Sequence, residues 1–311
     1  MPRPSSPSTS VFAAAAAALA AAVVLGAPSR AYAQACCAGG AAVTPGRLEL
    51  HEDALVGATI KAAYSLGSYD TGGRFVSTPR GDGEGDFEQD LFGAVRFLGH
   101  GQGALLVPLV ETDRRDPIDG NHFGGGVGDV NLSGRWDFVE AGAARYFPGV
   151  ALLAGITFPT GKPPEQATPP LAVDATGIGA YQINGALALE QTFGPWLVNA
   201  TGIVAVRTPH VGEELAPQVT LLGAAAYTLP SDVAFSLSVA YAFEGDAHLT
   251  SGGAVPDSSK RATTLTFAAL WPFSDAWRVL GGFTLNPPVG AVGSNQPAAA
   301  GLTLTVIRSW T

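Results

Sequence analysis

Charge is scarce in this chain of 311 residues. Asp, Glu, Lys and Arg make up 14 % of it, about half of what a soluble domain carries. Basic residues are the scarcer sign, 17 against 26 acids, and a formal charge of −9 disfavours nucleic acid as a partner. Long apolar runs are missing too. Beyond residue 33 no stretch reaches about eighteen consecutive apolar residues, so the mature chain offers no membrane-spanning helix. Cysteine is nearly absent, and its two copies are neighbours, Cys36 and Cys37, which staple nothing across a fold. They read as a vicinal pair, free or bridged, in an oxidising compartment. Lipidation of Cys36 is disfavoured because Ala33 stands where a large aliphatic is expected, and two thiols alone make a poor metal site.

What is present begins with a leader. Arg3 gives a short basic start, Val11 to Gly26 is an Ala-rich apolar run, and Ala31-Tyr32-Ala33 supplies the small residues of a cleavage site. Residues 1–33 are therefore expected to be a signal peptide. Its removal loses two arginines and no acid, which takes the formal charge from −9 to −11. Residues 34–53 are expected to be a flexible periplasmic segment, and 54–311 a single domain.

That domain has a rhythm. About twelve segments alternate apolar and polar residues, joined in turn by a long polar loop and a short turn. They are Val56–Leu66, Phe87–Leu98, Ala104–Glu111, Gly128–Phe138, Pro148–Pro159, Gly177–Gln191, Trp196–Arg207, Gln218–Leu229, Val233–Phe243, Ala262–Trp271, Ala276–Asn286 and Ala299–Trp310. In a strand each successive side chain changes face, so such a segment offers one face to lipid and the other to water. The fourth segment alternates most cleanly, with Val130, Leu132, Trp136 and Phe138 against Asp129, Asn131, Ser133, Arg135 and Asp137. A soluble core would not accept that second row unpaired, whereas a water-filled lumen would. Pro108 weakens the third segment by removing a ladder donor, and Phe92 breaks the alternation of the second.

Aromatics gather near segment ends, among them Tyr64, Phe97, Trp136, Trp196, Trp271, Trp277 and Trp310, as in the girdles of a membrane barrel. The long loops, Ser68–Asp86, Thr112–Gly126, Thr160–Thr176, Thr208–Ala216, Glu244–Lys260 and Asn286–Pro297, are rich in Gly, Pro and Asp. The pattern predicts an all-β fold: an antiparallel, up-and-down transmembrane β-barrel of about twelve strands.

Three phrases occur in one order: Gly126-Val127-Gly128-Asp129-Val130, then Phe158-Pro159-Thr160-Gly161-Lys162, then Gly177-Ile178-Gly179. With the aromatic-ended strand at Trp136 to Phe138, they resemble the outer-membrane barrels grouped as the phenol-degradation meta-pathway family, over about residues 50–311. The resemblance implies a Gram-negative outer-membrane barrel linked to uptake of hydrophobic or aromatic compounds. The chain departs from the general barrel pattern at its end, where Trp310 is followed by Thr311 rather than closing on the aromatic that the barrel-assembly machinery reads.

Covalent chemistry finds little support. Gly155 through Lys162 has five residues between its glycines and Pro163 where a phosphate loop needs Ser or Thr. The glycines at 124–128 precede no helix, as a dinucleotide site would require. His122, His210 and His248 fall in three long loops near acids, without metal-ligand spacing. No histidine lies within a strand beside a serine, so no nucleophile–base pair is evident. No enzyme activity, cofactor or metal is expected. The inward charges Lys61, Glu88, Asp90, Arg96, Asp129, Arg135 and Asp137, with Asn131, are the candidate lumen or constriction residues. They come from the first four strands, while strands eight to ten offer mainly Ala, Ser and Thr. The expected function is passive passage of a small solute, apolar or aromatic, across the cell outer membrane. The alternatives are a non-conducting structural or surface-binding barrel and, less favoured, a lipid-modifying enzyme. Expected partners are outer-membrane lipid and lipopolysaccharide, the solute, and the assembly machinery during biogenesis.

Overall fold

A computed structural model of the chain describes residues 46–311. The expected signal peptide, and most of the expected flexible segment with Cys36 and Cys37, lie outside these residues. Twelve long strands close into an antiparallel barrel among the described residues. They are β1 (Ala54–Tyr69), β2 (Gly83–Phe97), β3 (Gly101–Asp116), β4 (Val130–Val139), β5 (Gly149–Phe158) and β6 (Gln182–Phe193). The second half comprises β7 (Trp196–Arg207), β8 (Gln218–Thr228), β9 (Ala234–Glu244), β10 (Lys260–Ser274), β11 (Trp277–Leu285) and β12 (Gln296–Trp310). Each pairs with its sequence neighbours, and β12 returns to β1 in a register running from Ala54↔Trp310 to Tyr69↔Gln296. Closure pairs each of the twelve strands on both sides over most of its length, which is what allows strands to face lipid.

The alternation sorts the side chains as the sequence implies. Val56, Ile60, Leu91, Val95, Leu132, Leu187, Leu221, Leu237, Leu302 and Leu304 are exposed on the outer surface. Such a belt would be costly in water and is suited to lipid, where each leucine-sized side chain gains roughly 2 kcal/mol on leaving water. Phe92 does not break the pattern. It is buried on the inward row between Asp90 and Ala94, and packs with Leu48, Leu55, Ala104 and Ile307 inside the barrel.

Three of the long loops are more ordered than their composition predicts. The expected loop Thr112–Gly126 is largely ladder: β3 runs on to Asp116, and Gly120–Val127 returns along it. Glu213–Glu214 pairs with His248–Leu249, tying two of the long loops together. Pro108 stays within β3 because its neighbour is interrupted there. The β3–β4 ladder ends at Leu106↔Asn131, and β3 pairs again, one residue out of step, with the arm Gly120–Val127 from Leu109↔Val127, so the missing N–H falls at a bulge.

Candidate functional site: a filled lumen and an interrupted wall

Residues 46–53 close the short-turn end of the barrel, with Leu48, Glu49 and Glu52 buried and Leu50 and His51 exposed. Arg278 of β11 donates through Nη2 to Glu52 Oε2 at 3.1 Å, contacts Glu52 Oε1 through Nη1, and sits 3.3 Å from Glu49 Oε1. Arg96 of β2 donates through Nε to the Glu52 carbonyl at 2.8 Å and through Nη2 to that of Glu49. Gln102 of β3 grips both polarities of the segment, donating to Gly46 O at 3.0 Å and accepting from Leu48 N at 3.0 Å. The chain turns at Gly46, with φ +67°, close against the Phe92 ring, a conformation and an approach that a Cβ would oppose. This floor is therefore held by two arginines, one glutamine and an apolar cluster.

Its two acids are shifted in opposite directions. Burial raises the Glu49 carboxyl above its ordinary value despite Arg278 nearby. For Glu52 burial pulls the same way, but hydrogen bonds from Arg278 and Ser309 outweigh it and leave the carboxyl below its ordinary value.

Farther in, Glu190 of β6 is a hub. Arg47 Nη1 lies 2.6 Å from it, Arg135 Nη2 3.1 Å, and Asn199 donates to it at 3.1 Å. Arg135 also holds Asp137 at 2.7 Å. Across the lumen, Lys61 bridges Glu88 at 2.9 Å and Asp90 at 2.6 Å. Toward the long-loop end Arg207 meets Glu244 at 2.6 Å and donates to Gln182 at 2.8 Å. Buried ions survive only when paired in this way.

The wall is interrupted beside β4. The β4–β5 ladder ends at Val130↔Phe158, so the arm Gly120–Val127 has no strand on its far side and the segment 159–181 fills the gap. The three sequence phrases meet there. Asp129 accepts from Gly161 N at 2.9 Å and from Ile178 N at 2.8 Å. Thr160 donates to Gly128 O at 2.7 Å and accepts from Val130 N at 3.0 Å, while Thr176 donates to Val127 O at 2.7 Å. Glycine is needed at 128 and 161 because a Cβ would fall 2.9 Å from the Pro108 ring and 2.7 Å from Thr176 O respectively. The loop then turns into the mouth: Val173 is fully buried against Gly124, and Arg114 donates to Leu171 O at 2.6 Å.

Of the sequence-selected residues, Lys61, Glu88 and Asp90 form one cluster and Arg135 and Asp137 belong to another. Asn131 is a lumen residue that donates to Thr157 at 2.9 Å. Arg96 binds the floor's backbone rather than spanning an opening. Asp129 is placed in the wall junction and not among the lumen pairs. Charge is also less confined to β1–β4 than the sequence suggests, because Glu190, Arg207, Glu244 and Arg278 project inward from β6, β7, β9 and β11. The loop histidines do not gather. His210 contacts Glu165, His122 meets the Asp119 carbonyl at 2.8 Å, and His248 lies in the short pairing with Glu214.

No protein-family model and no curated protein matches the chain. Among solved structures it is similar to an outer membrane channel of Pseudomonas putida F1, at 14 % identity and a TM-score of 0.69, covering 84 % of this chain and 97 % of that one. The β domain of the Bordetella autotransporter BrkA, at 10 % identity over 83 % of this chain and all of its own, reaches a TM-score of only 0.46 and adds nothing to that likeness. The fold is that of an outer-membrane β-barrel.

Proposed function

We propose that the chain is an outer-membrane channel for passive passage of a small apolar or aromatic solute. The observation that carries this reading is the inversion of the barrel: leucines, valines and aromatics outside, charge and hydrogen-bonding groups inside. An exported barrel of this kind belongs in the outer membrane, and the likeness to the phenol-degradation meta-pathway family supports an aromatic solute.

The two closures favour an apolar cargo. The ion-paired floor opposes a polar solute that would run the length of the lumen. The wall beside Asp129 is held by side-chain-to-backbone contacts in place of a ladder, so it can part at less cost than any paired strand, toward lipid. An apolar solute can use that route; a sugar cannot. The occupied mouth also favours a second reading, a non-conducting structural barrel.

Proteoliposomes separate the two. Uptake of the aromatic dye N-phenylnaphthylamine through a lipopolysaccharide-containing outer leaflet, with raffinose swelling as the polar control, is expected to rise for the aromatic alone. A barrel that changes neither rate, in wild type or in Arg278→Ala, is structural.

A further inference from the structure

The outward row of β12 carries one residue that does not belong in hydrocarbon. Leu302, Leu304, Val306, Arg308 and Trp310 alternate with inward residues, so Arg308 faces the same side as the apolar belt. Register places it beside Val56 of β1 and Trp277 of β11, two further outward residues at the short-turn end. Its guanidinium lies 4.9 Å from the Trp310 ring centre and 5.6 Å from that of Trp277. Trp277 continues the patch through Phe273, stacked at 6.3 Å, and Trp271 beyond it at 6.0 Å. Among the described residues Arg308 makes no ion pair, although Arg47, Arg135, Arg207 and Arg278 inside the barrel do.

This geometry fits a particular depth and charge. Indoles settle at the headgroup level of a bilayer, and an arginine on the lipid face is tolerated near the interface, where its cost is small. Two flanking rings fix the guanidinium plane, limit its rotamers and leave its N–H edge free to donate. A planar fork of donors matches a phosphate diester, which can accept two parallel hydrogen bonds. The acyl chains of the same molecule would lie along Val306, Leu304 and Val56. A free phosphate would use the fork but leave those apolar neighbours uncovered.

We propose that Arg308, framed by Trp277 and Trp310, is a binding site for the phosphate of a phospholipid in the leaflet at the short-turn end of the barrel. The site rests on the membrane placement proposed above but fails separately from it. A barrel that sits in the bilayer and passes its solute without holding phospholipid at this seam overturns the site alone.

The test is native mass spectrometry of the full chain released from micelles containing phosphatidylglycerol. Wild type should retain a lipid that Arg308→Gln loses at least tenfold, with Arg308→Lys intermediate. Dioleoylglycerol, which lacks the phosphate, should not be retained, and millimolar inorganic phosphate should not displace the phospholipid. Equal retention by Arg308→Gln, equal retention of dioleoylglycerol, or full displacement by inorganic phosphate overturns the proposal. If Arg308→Gln does not fold, a headgroup-photoactivatable phosphatidylglycerol on wild type decides it: adducts on residues 275–279 and 306–311 support the site, and adducts confined elsewhere overturn it.

Discussion

The barrel is closed in two places by opposite means. At its short-turn mouth, charged side chains hold an irregular segment: Arg278 and Arg96 on residues 49–52, and Glu190 on Arg47. Beside β4, nearly uncharged groups do the same task, with one carboxylate and two threonines satisfying backbone from three stretches of chain. The first closure relies on pairs that lose most when one partner is removed. The second relies on glycines thin enough to bring backbones together. On the proposed reading the floor is the barrier to water and ions and the wall is the part that opens.

Cutting the floor should have the largest effect. Arg278→Ala leaves Glu49 and Glu52 buried without their guanidinium, a loss on the order of 3–5 kcal/mol for such sites. Planar-bilayer conductance is expected to rise several-fold, and a current unchanged from wild type would show that the segment does not obstruct the lumen. Cutting the wall comes next. Asp129→Ala removes two hydrogen bonds to a charged acceptor, each about 1.5–3 kcal/mol. It should speed proteolysis within 159–181 and raise dye uptake several-fold while leaving ionic conductance near wild type. A rise in both uptake and conductance would erase the distinction between the two closures.

Acidity should divide the floor's two acids. The seated Glu52 carboxyl is held below its ordinary 4.5, so its contribution to seating is present above that value and is lost as pH falls through the lowered one. Glu49 is raised, so its contribution is present in acid and is lost as pH rises through the raised value. At pH 7 Glu52→Gln should therefore increase conductance and Glu49→Gln should decrease it or leave it unchanged. Shifts in the same direction for both would contradict these assignments. The smallest effect belongs to the latch between two long loops. His210→Ala removes an exposed contact with Glu165, and the unfolding midpoint should stay where it is in wild type.

The barrel itself was legible because strand periodicity is local: Leu132 and Arg135 declare their faces without reference to any other strand. All twelve segments stand where the alternation puts them, differing mainly in length. The floor was not legible. Residues 46–53 form no strand, so no periodicity marks Glu49 and Glu52 as buried, and their partner Arg278 comes from more than two hundred residues away. Glu244 sits at a boundary: the turn chemistry after it reads as loop, yet it closes β9 with its side chain inward. The wall junction falls between these cases. Its three glycine-bearing phrases were visible, but nothing in their spacing says that Asp129 gathers Gly161 and Ile178 around one carboxylate.

We propose that an apolar solute leaves through the wall beside Asp129 while the floor stops polar ones. Paired rates of dye uptake and raffinose swelling, in proteoliposomes with a lipopolysaccharide-containing outer leaflet, measure that directly. Wild type should raise dye uptake several-fold and leave raffinose at the rate of protein-free vesicles. Raffinose passing freely through wild type, with no gain in dye uptake, would contradict it.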